Sequence, residues 1–176
     1  MSRVPRADWL VAGLKVLREQ GDAALTVEKL CTALSRTKGA FYHHFADFEA
    51  FQAELLARWE HELTDRPISV AGQGKRAERG DRLDQAVANL DHELDRAVRA
   101  WGLRDDRVRV AVVRVDRRRI SYLTKILREA GHPQAELRAQ LEYVAFLGLQ
   151  HADAIPSAKR KALQTAMRRA LKPMAD

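Results

Sequence analysis

The chain has 176 residues, 46% of them hydrophobic and 6% aromatic, with nine glycines and five prolines. That is enough apolar material for one ordinary core and too little turn chemistry for a loop-rich β protein, so an all-α fold is expected. The net charge of +7 and pI near 9.9 invite a nucleic-acid partner, and the lone Cys31 excludes an intrachain disulfide. No apolar run approaches the ~20 residues of a membrane span, and the opening "MSRVPRADWL" has no apolar signal core, so a soluble cytoplasmic protein is expected.

Charge distribution says more than its sum. Residues 1–60 hold eight Lys/Arg and eight Asp/Glu, so the basic excess lies wholly beyond them. Within that neutral segment, however, Lys29 to Ala46 carries three basic residues, two histidines and no acid.

In chain order, Trp9/Leu10, Gly13/Leu14 and Leu17 recur at helical spacing over residues 6–20, and Gly21 follows as a stop. "LTVEKLCTAL" places Val27, Leu30, Cys31 and Leu34 on one face. Thr26 serves as its N-cap, and Leu25 with Leu30 forms a hydrophobic staple. "SRT" breaks the pattern, and a third short helix is expected from about Thr37 to His44. Asp47 caps a fourth, striped by Phe48, Phe51, Leu55, Trp59 and Leu63. Residues 66–80, "RPISVAGQGKRAERG", show no periodicity and read as a long loop. Four further helices are expected at about 81–101, 105–130, 133–152 and 157–171, punctuated by "GHP" and Pro156.

At 100° per residue, Phe41 and Phe45 lie about 40° apart and make the inward face of the third helix. Gly39 and His43 fall nearly opposite, and His44 sits closer to the inward side. A glycine on an exposed helix face costs roughly 1 kcal/mol relative to alanine, which packing does not repay. Close approach of another molecule would. The outward set (Arg36, Thr37, Lys38, Gly39, Ala40, Tyr42, His43) is small at its centre and donor-rich around it. Such a face suits phosphates and base edges in a major groove. A capped helix, a turn and a second helix with this face make a helix-turn-helix.

The stretch "LTVEKLCTALSRTKGAFYHHFADFEAF" resembles the DNA-binding segment of the TetR family of transcriptional regulators, with Thr26, Thr37, Lys38, Gly39, Phe41, Tyr42 and Phe45 in register. The likeness covers roughly residues 6–60 and is looser beyond residue 80. It implies a helix-turn-helix domain over 1–46 and a helical effector-binding and dimerisation domain over 47–176. It also implies DNA contacts from Thr26, Arg36, Thr37, Lys38, Gly39, Ala40, Tyr42, His43 and His44. Two departures stand out. Ser35 and Arg36 replace the usual small-glycine and apolar turn residues, which predicts a distorted turn. Phe48 stands where members commonly carry a phosphate-binding lysine, a loss expected to weaken DNA binding and for which Arg36 is the candidate replacement.

The last helix has Ala158, Ala162, Ala166 and Ala170 at i+4 spacing, beside Leu163 and Met167. The helix before it offers Leu141, Ala145, Gly148 and Ala152. Small residues along one line let helix axes approach closely, although alanine is also simply a good helix former. The resemblance implies that these two helices form a homodimer interface, and a homodimer would read a palindromic double-stranded DNA operator. It also implies a small apolar effector. Trp59, Leu63, Trp101, Val112, Val115 and Tyr122 are the candidate lining residues and equally candidate core. No cofactor, metal site or catalytic residue is expected: neither "HEL" has a second histidine at i+4, and no phosphate loop or nucleophile elbow appears. Asp116 and Arg119 read as a structural pair. The competing function class is a TetR-like helical dimer that has lost DNA binding and acts through protein contacts.

Overall fold

The computed structural model describes residues 4–170, which form ten α-helices and no strand. They are α1 (Arg6–Gln20), α2 (Val27–Leu34), α3 (Lys38–Tyr42), α4 (Phe48–Glu60), α5 (Arg66–Gly72), α6 (Arg79–Ala88), α7 (His92–Gly102), α8 (Asp106–Glu129), α9 (Ala135–Gln150) and α10 (Ser157–Ala170).

The caps expected at Thr26 and Asp47 form, and Thr37, expected as the first residue of the third helix, is instead the cap of α3. The side-chain oxygens of Thr26, Thr37 and Asp47 accept from the backbone N–H groups of Lys29, Ala40 and Ala50. Asp91 caps α7 in the same way through Leu94. Leu25 and Leu30 are both buried, as a staple across the start of α2 requires.

The long loop expected over 66–80 is a correction. The helix of α4 continues through a π-turn, His61–Asp65, directly into α5, and a short 3-10 turn occupies Arg76–Glu78. Pro67 does not end the helix, because its ring prevents only the regular bond to the carbonyl four residues back. The chain absorbs this by widening one turn, so that Arg66 N–H donates to His61 O, and helix resumes. Likewise the helix expected over 81–101 is two, α6 and α7, separated by a break before the Asp91 cap.

The chain divides into two compact units, one of residues up to Arg66 with Leu90–Arg114, the other of Pro67–Asn89 with the residues from Val115 on. In the first unit α1 packs against α2, α4 and α7. Phe41 is its centre: fully buried, it has ring centroids 5.4 Å from Trp9, 5.0 Å from Phe45 and 5.3 Å from Phe51. Edge-to-face aromatic packing of this kind adds roughly 0.5–1.5 kcal/mol per pair beyond burial. Gly13 lets α1 and α4 meet, because a Cβ there would lie 2.6 Å from Phe51 Cζ and 2.9 Å from Leu55 Cδ1. Trp59 is buried too, and its indole N–H donates to Asp95, which also receives Arg99 Nε.

In the second unit the end of α8 and the start of α9 bury Leu127, Ala135 and Ala139, with Ile120 and Leu123 beside them. Between these helices Gly131 has φ +79°, and His132 N and Gly131 N donate to Leu127 O and Arg128 O. That paired closure is a Schellman stop, and its left-handed residue favours glycine. Asp116, expected to pair with Arg119, accepts a 2.6 Å hydrogen bond from Tyr143 of α9.

Candidate nucleic-acid interface

The turn between α2 and α3 sets the aim of α3. Ser35 is left-handed, at φ 52° and ψ 51°. Its N–H donates to Thr32 O, and Arg36 N–H donates to Cys31 O. This is the same Schellman closure seen after α8, here without glycine. The turn expected to be distorted is therefore regular, and the departure appears as conformational strain of about 1–2 kcal/mol at one residue. Arg36 is half-buried, and its Nη1 donates to Ser35 O across the turn.

Helix α3 is shorter than the expected 37–44, but the chain stays nearly helical beyond it. His43 N reaches Gly39 O, and Phe45 N reaches Phe41 O. The facing derived from 100° spacing therefore survives: Phe41 and Phe45 are buried, while Thr37, Lys38, Gly39, Tyr42 and His43 are exposed and Ala40 is half-buried. Within 4 Å of a Cβ built on Gly39 lies only Thr37 Oγ1, at 3.8 Å. Nothing within the fold asks for a glycine there.

The individual side chains divide. Tyr42 is 51% exposed, its ring set edge-on to Phe41 at 5.3 Å. His44 is turned back, its Nε2 3.0 Å from the Val4 carbonyl. The His43 and His44 rings lie edge-to-face at 5.4 Å. Thr26 and Thr37 are exposed while capping their helices. Phe48 stacks on Phe51 at 5.7 Å and extends the aromatic cluster, so its position serves the core.

One participant escaped the sequence reading. Glu28, in the first turn of α2, forms an ion pair with Lys38 Nζ, both groups being more than half exposed. The hydrogen bond from Lys38 holds the Glu28 carboxylate below its ordinary range, and the same bond raises the Lys38 ammonium. Residues ten apart in sequence give no periodic signal. Only the turn at Ser35 brings the start of α2 to the start of α3.

The other expected residues lie elsewhere. Trp59, Leu63, Trp101 and Val112 belong to the first unit, and Val115 and Tyr122 to the second. Trp59, Leu63, Trp101 and Val115 are buried. A cavity of about 220 Å³ behind α4 touches Trp101 alone among the six, and a larger one in the second unit touches none of them. Tyr122 Oη is buried without a hydrogen-bond partner, and burial pushes its pKa up. Burial likewise raises the Cys31 thiol.

On α9, Leu141 is exposed with Leu137 and Val144, and no heavy atom lies within 4 Å of a Cβ built on Gly148. Ala145 and Ala152 are half-buried. On α10, Ala162, Leu163, Ala166 and Ala170 are exposed and Met167 is half-buried. The side chain of Ala158 lies outside the described residues. No described helix is long and apolar enough to cross a membrane.

An exposed, donor-rich helix without a carboxylate of its own, presented by a capped helix and a tight turn, defines a helix-turn-helix DNA-binding regulator. Residues 10–55 match the family model described as bacterial regulatory proteins, tetR family. No curated protein matches it. Among solved structures it is similar to the reduced form of E. coli NemR, with a TM-score of 0.77 at 20% identity, covering 97% of this chain and 99% of that one. At that identity the likeness speaks for the fold.

Proposed function

We propose that the protein is a homodimeric, sequence-specific transcriptional repressor that reads a palindromic operator with α3 and is released by a small apolar effector. The observation that carries the DNA-reading part is Gly39: a helix-weakening residue on an exposed face, with no neighbour in the fold that needs it. Lys38 and Tyr42 hold phosphate in this reading, and His43 meets base edges. Thr26, Arg36, Thr37 and Ala40 line the approach. His44 acts indirectly, by tying the recognition segment to the chain ahead of α1.

The dimer reading is supported by the exposed apolar stripe Leu137–Leu141–Val144 on α9, next to the exposed alanines of α10. A contiguous apolar surface of that kind marks an interaction site. A dimer places two short recognition helices on half-sites about one turn apart.

Two observations favour a second reading, in which the dimer has lost DNA binding: Phe48 serves the core, and Glu28 neutralises Lys38. Selection from a randomised double-stranded DNA pool separates the two. Enrichment of a palindrome is expected, and recovery of an unenriched pool would overturn the DNA-reading assignment.

A further inference from the structure

Helix α3 is five residues long, too short to hold its own direction by backbone bonds, so its aim is set by what grips its ends. At its start the grip is the Ser35 closure and the Thr37 cap. Its far end is gripped by the residues around the start of α1. His44 Nε2 lies 3.0 Å from the Val4 carbonyl, and a carbonyl only accepts, so that nitrogen carries the proton. Two residues on, the Arg6 guanidinium lies over the buried Phe45 ring, 4.8 Å from its centroid. Phe45 N–H donates to Phe41 O, so what holds the Phe45 ring also holds the last helical bond of the recognition segment.

Arg6 is itself held from a third direction. Its Nε donates to Glu54 Oε2 at 2.9 Å, and its Nη2 pairs with Glu54 Oε1. This is the bidentate fork that fixes a guanidinium in plane and in direction. One turn later on α4, Arg58 Nη1 donates to the Ala7 carbonyl at 3.4 Å, while its Nε pairs with Glu62. The start of α1, the end of the recognition segment and the middle of α4 thus meet at Arg6. A lysine could pair with Glu54, but it offers neither the fork nor a flat face for the ring.

We infer that Arg6 is a positioning residue for DNA recognition: stacked on Phe45 and locked in plane by Glu54, it fixes the far end of α3 against α1 and α4. His44 completes this strap through Val4, and the role rests on the reading of α3 as the DNA-reading helix. Each contact is weak, because both partners of the fork are more than a third exposed and a cation over a ring at the surface adds little. The consequence therefore falls on aim rather than on folding. Phe41, Phe45 and Phe51 close the core without Arg6, whereas recognition side chains must be held to within about 0.5 Å. The sign of charge separates this role from a phosphate contact. A guanidinium on phosphate would be opposed by Glu54, its neutraliser. A positioning guanidinium needs Glu54, so losing either partner harms recognition alike.

The test uses the full chain, an operator selected from the random pool, and Arg6→Ala, Glu54→Gln and the double variant. Without DNA, hydrogen exchange at the Phe45 amide should quicken by roughly threefold to fivefold in each. Operator affinity, read by fluorescence anisotropy where each protein is fully folded, should fall by a similar factor in both single variants. The double variant should fall no further, since both changes break one strap. It also keeps the natural net charge, so its loss cannot come from bulk electrostatics. The slope of log affinity against log salt should stay unchanged in the double variant. Glu54→Gln, nearly isosteric, keeps the test open if Arg6→Ala unfolds. Tighter binding by Glu54→Gln, or a slope reduced by about 0.9 in the double variant, would make Arg6 a phosphate contact and overturn the inference. Unchanged affinity or unchanged exchange in the folded variants would overturn it too. An unenriched pool would refute the DNA reading itself, whereas with an operator in hand these outcomes bear on the strap alone.

Discussion

Gly39→Leu separates folding from recognition. In the fold the added Cβ meets open space apart from Thr37 Oγ1 at 3.8 Å, so no packing penalty opposes it. Replacing glycine in a helix recovers up to about 1 kcal/mol of propensity. Because α3 is five residues long and Gly39 lies in its first turn, about half of that is expected. For a chain of this length, the result is a thermal midpoint raised by about 1–2 °C. DNA binding should nevertheless be lost, because a four-carbon side chain would stand where α3 approaches the groove. Gly13→Ala is the matched control. There the Cβ would press on Phe51 and Leu55, so overpacking of about 1–3 kcal/mol should lower stability while the recognition face stays intact. Urea unfolding and fluorescence anisotropy on a selected operator read the two quantities separately. Full operator affinity in Gly39→Leu would refute the assignment of this face to DNA.

Lys38→Ala should weaken binding to all sequences and reduce the slope of log affinity against log salt by about 0.9. Glu28→Gln should raise affinity in the natural background and have no effect in Lys38→Ala; equal gains in both would place Glu28 itself against the DNA. Ser35→Gly should raise stability by up to about 1 kcal/mol by relieving a left-handed side chain, measured by urea unfolding, and no gain would remove the strain argument. Phe41→Ala should cost about 3–5 kcal/mol, with the helical circular dichroism of the first unit melting early. Ala166→Glu should give a monomer by sedimentation with helicity retained; an unchanged dimer would move the interface off α10.

Much of the recognition segment was legible in the chain because its signals are local. A cap needs one oxygen three residues before a donor, so Thr26 and Asp47 declared the starts of α2 and α4. Helical facing needs only 100° arithmetic, so Phe41, Phe45 and Gly39 fell on the correct sides. Local grammar misled at Pro67, where a π-turn lets helix run through, and at Ser35, where a left-handed serine performs the closure that glycine usually performs. Tertiary structure alone decided the rest, for one physical reason: the partners are remote in sequence and no period links them. Glu28 meets Lys38 only across the folded turn, and Asp95 meets Trp59 across two helices. The larger cavity of the second unit, lined by Leu83 and Ile126 among others, exists because elements some forty residues apart pack side by side. The sequence could mark Leu83 and Ile126 as apolar, but which apolar residues close a core and which leave a space depends on how whole helices meet.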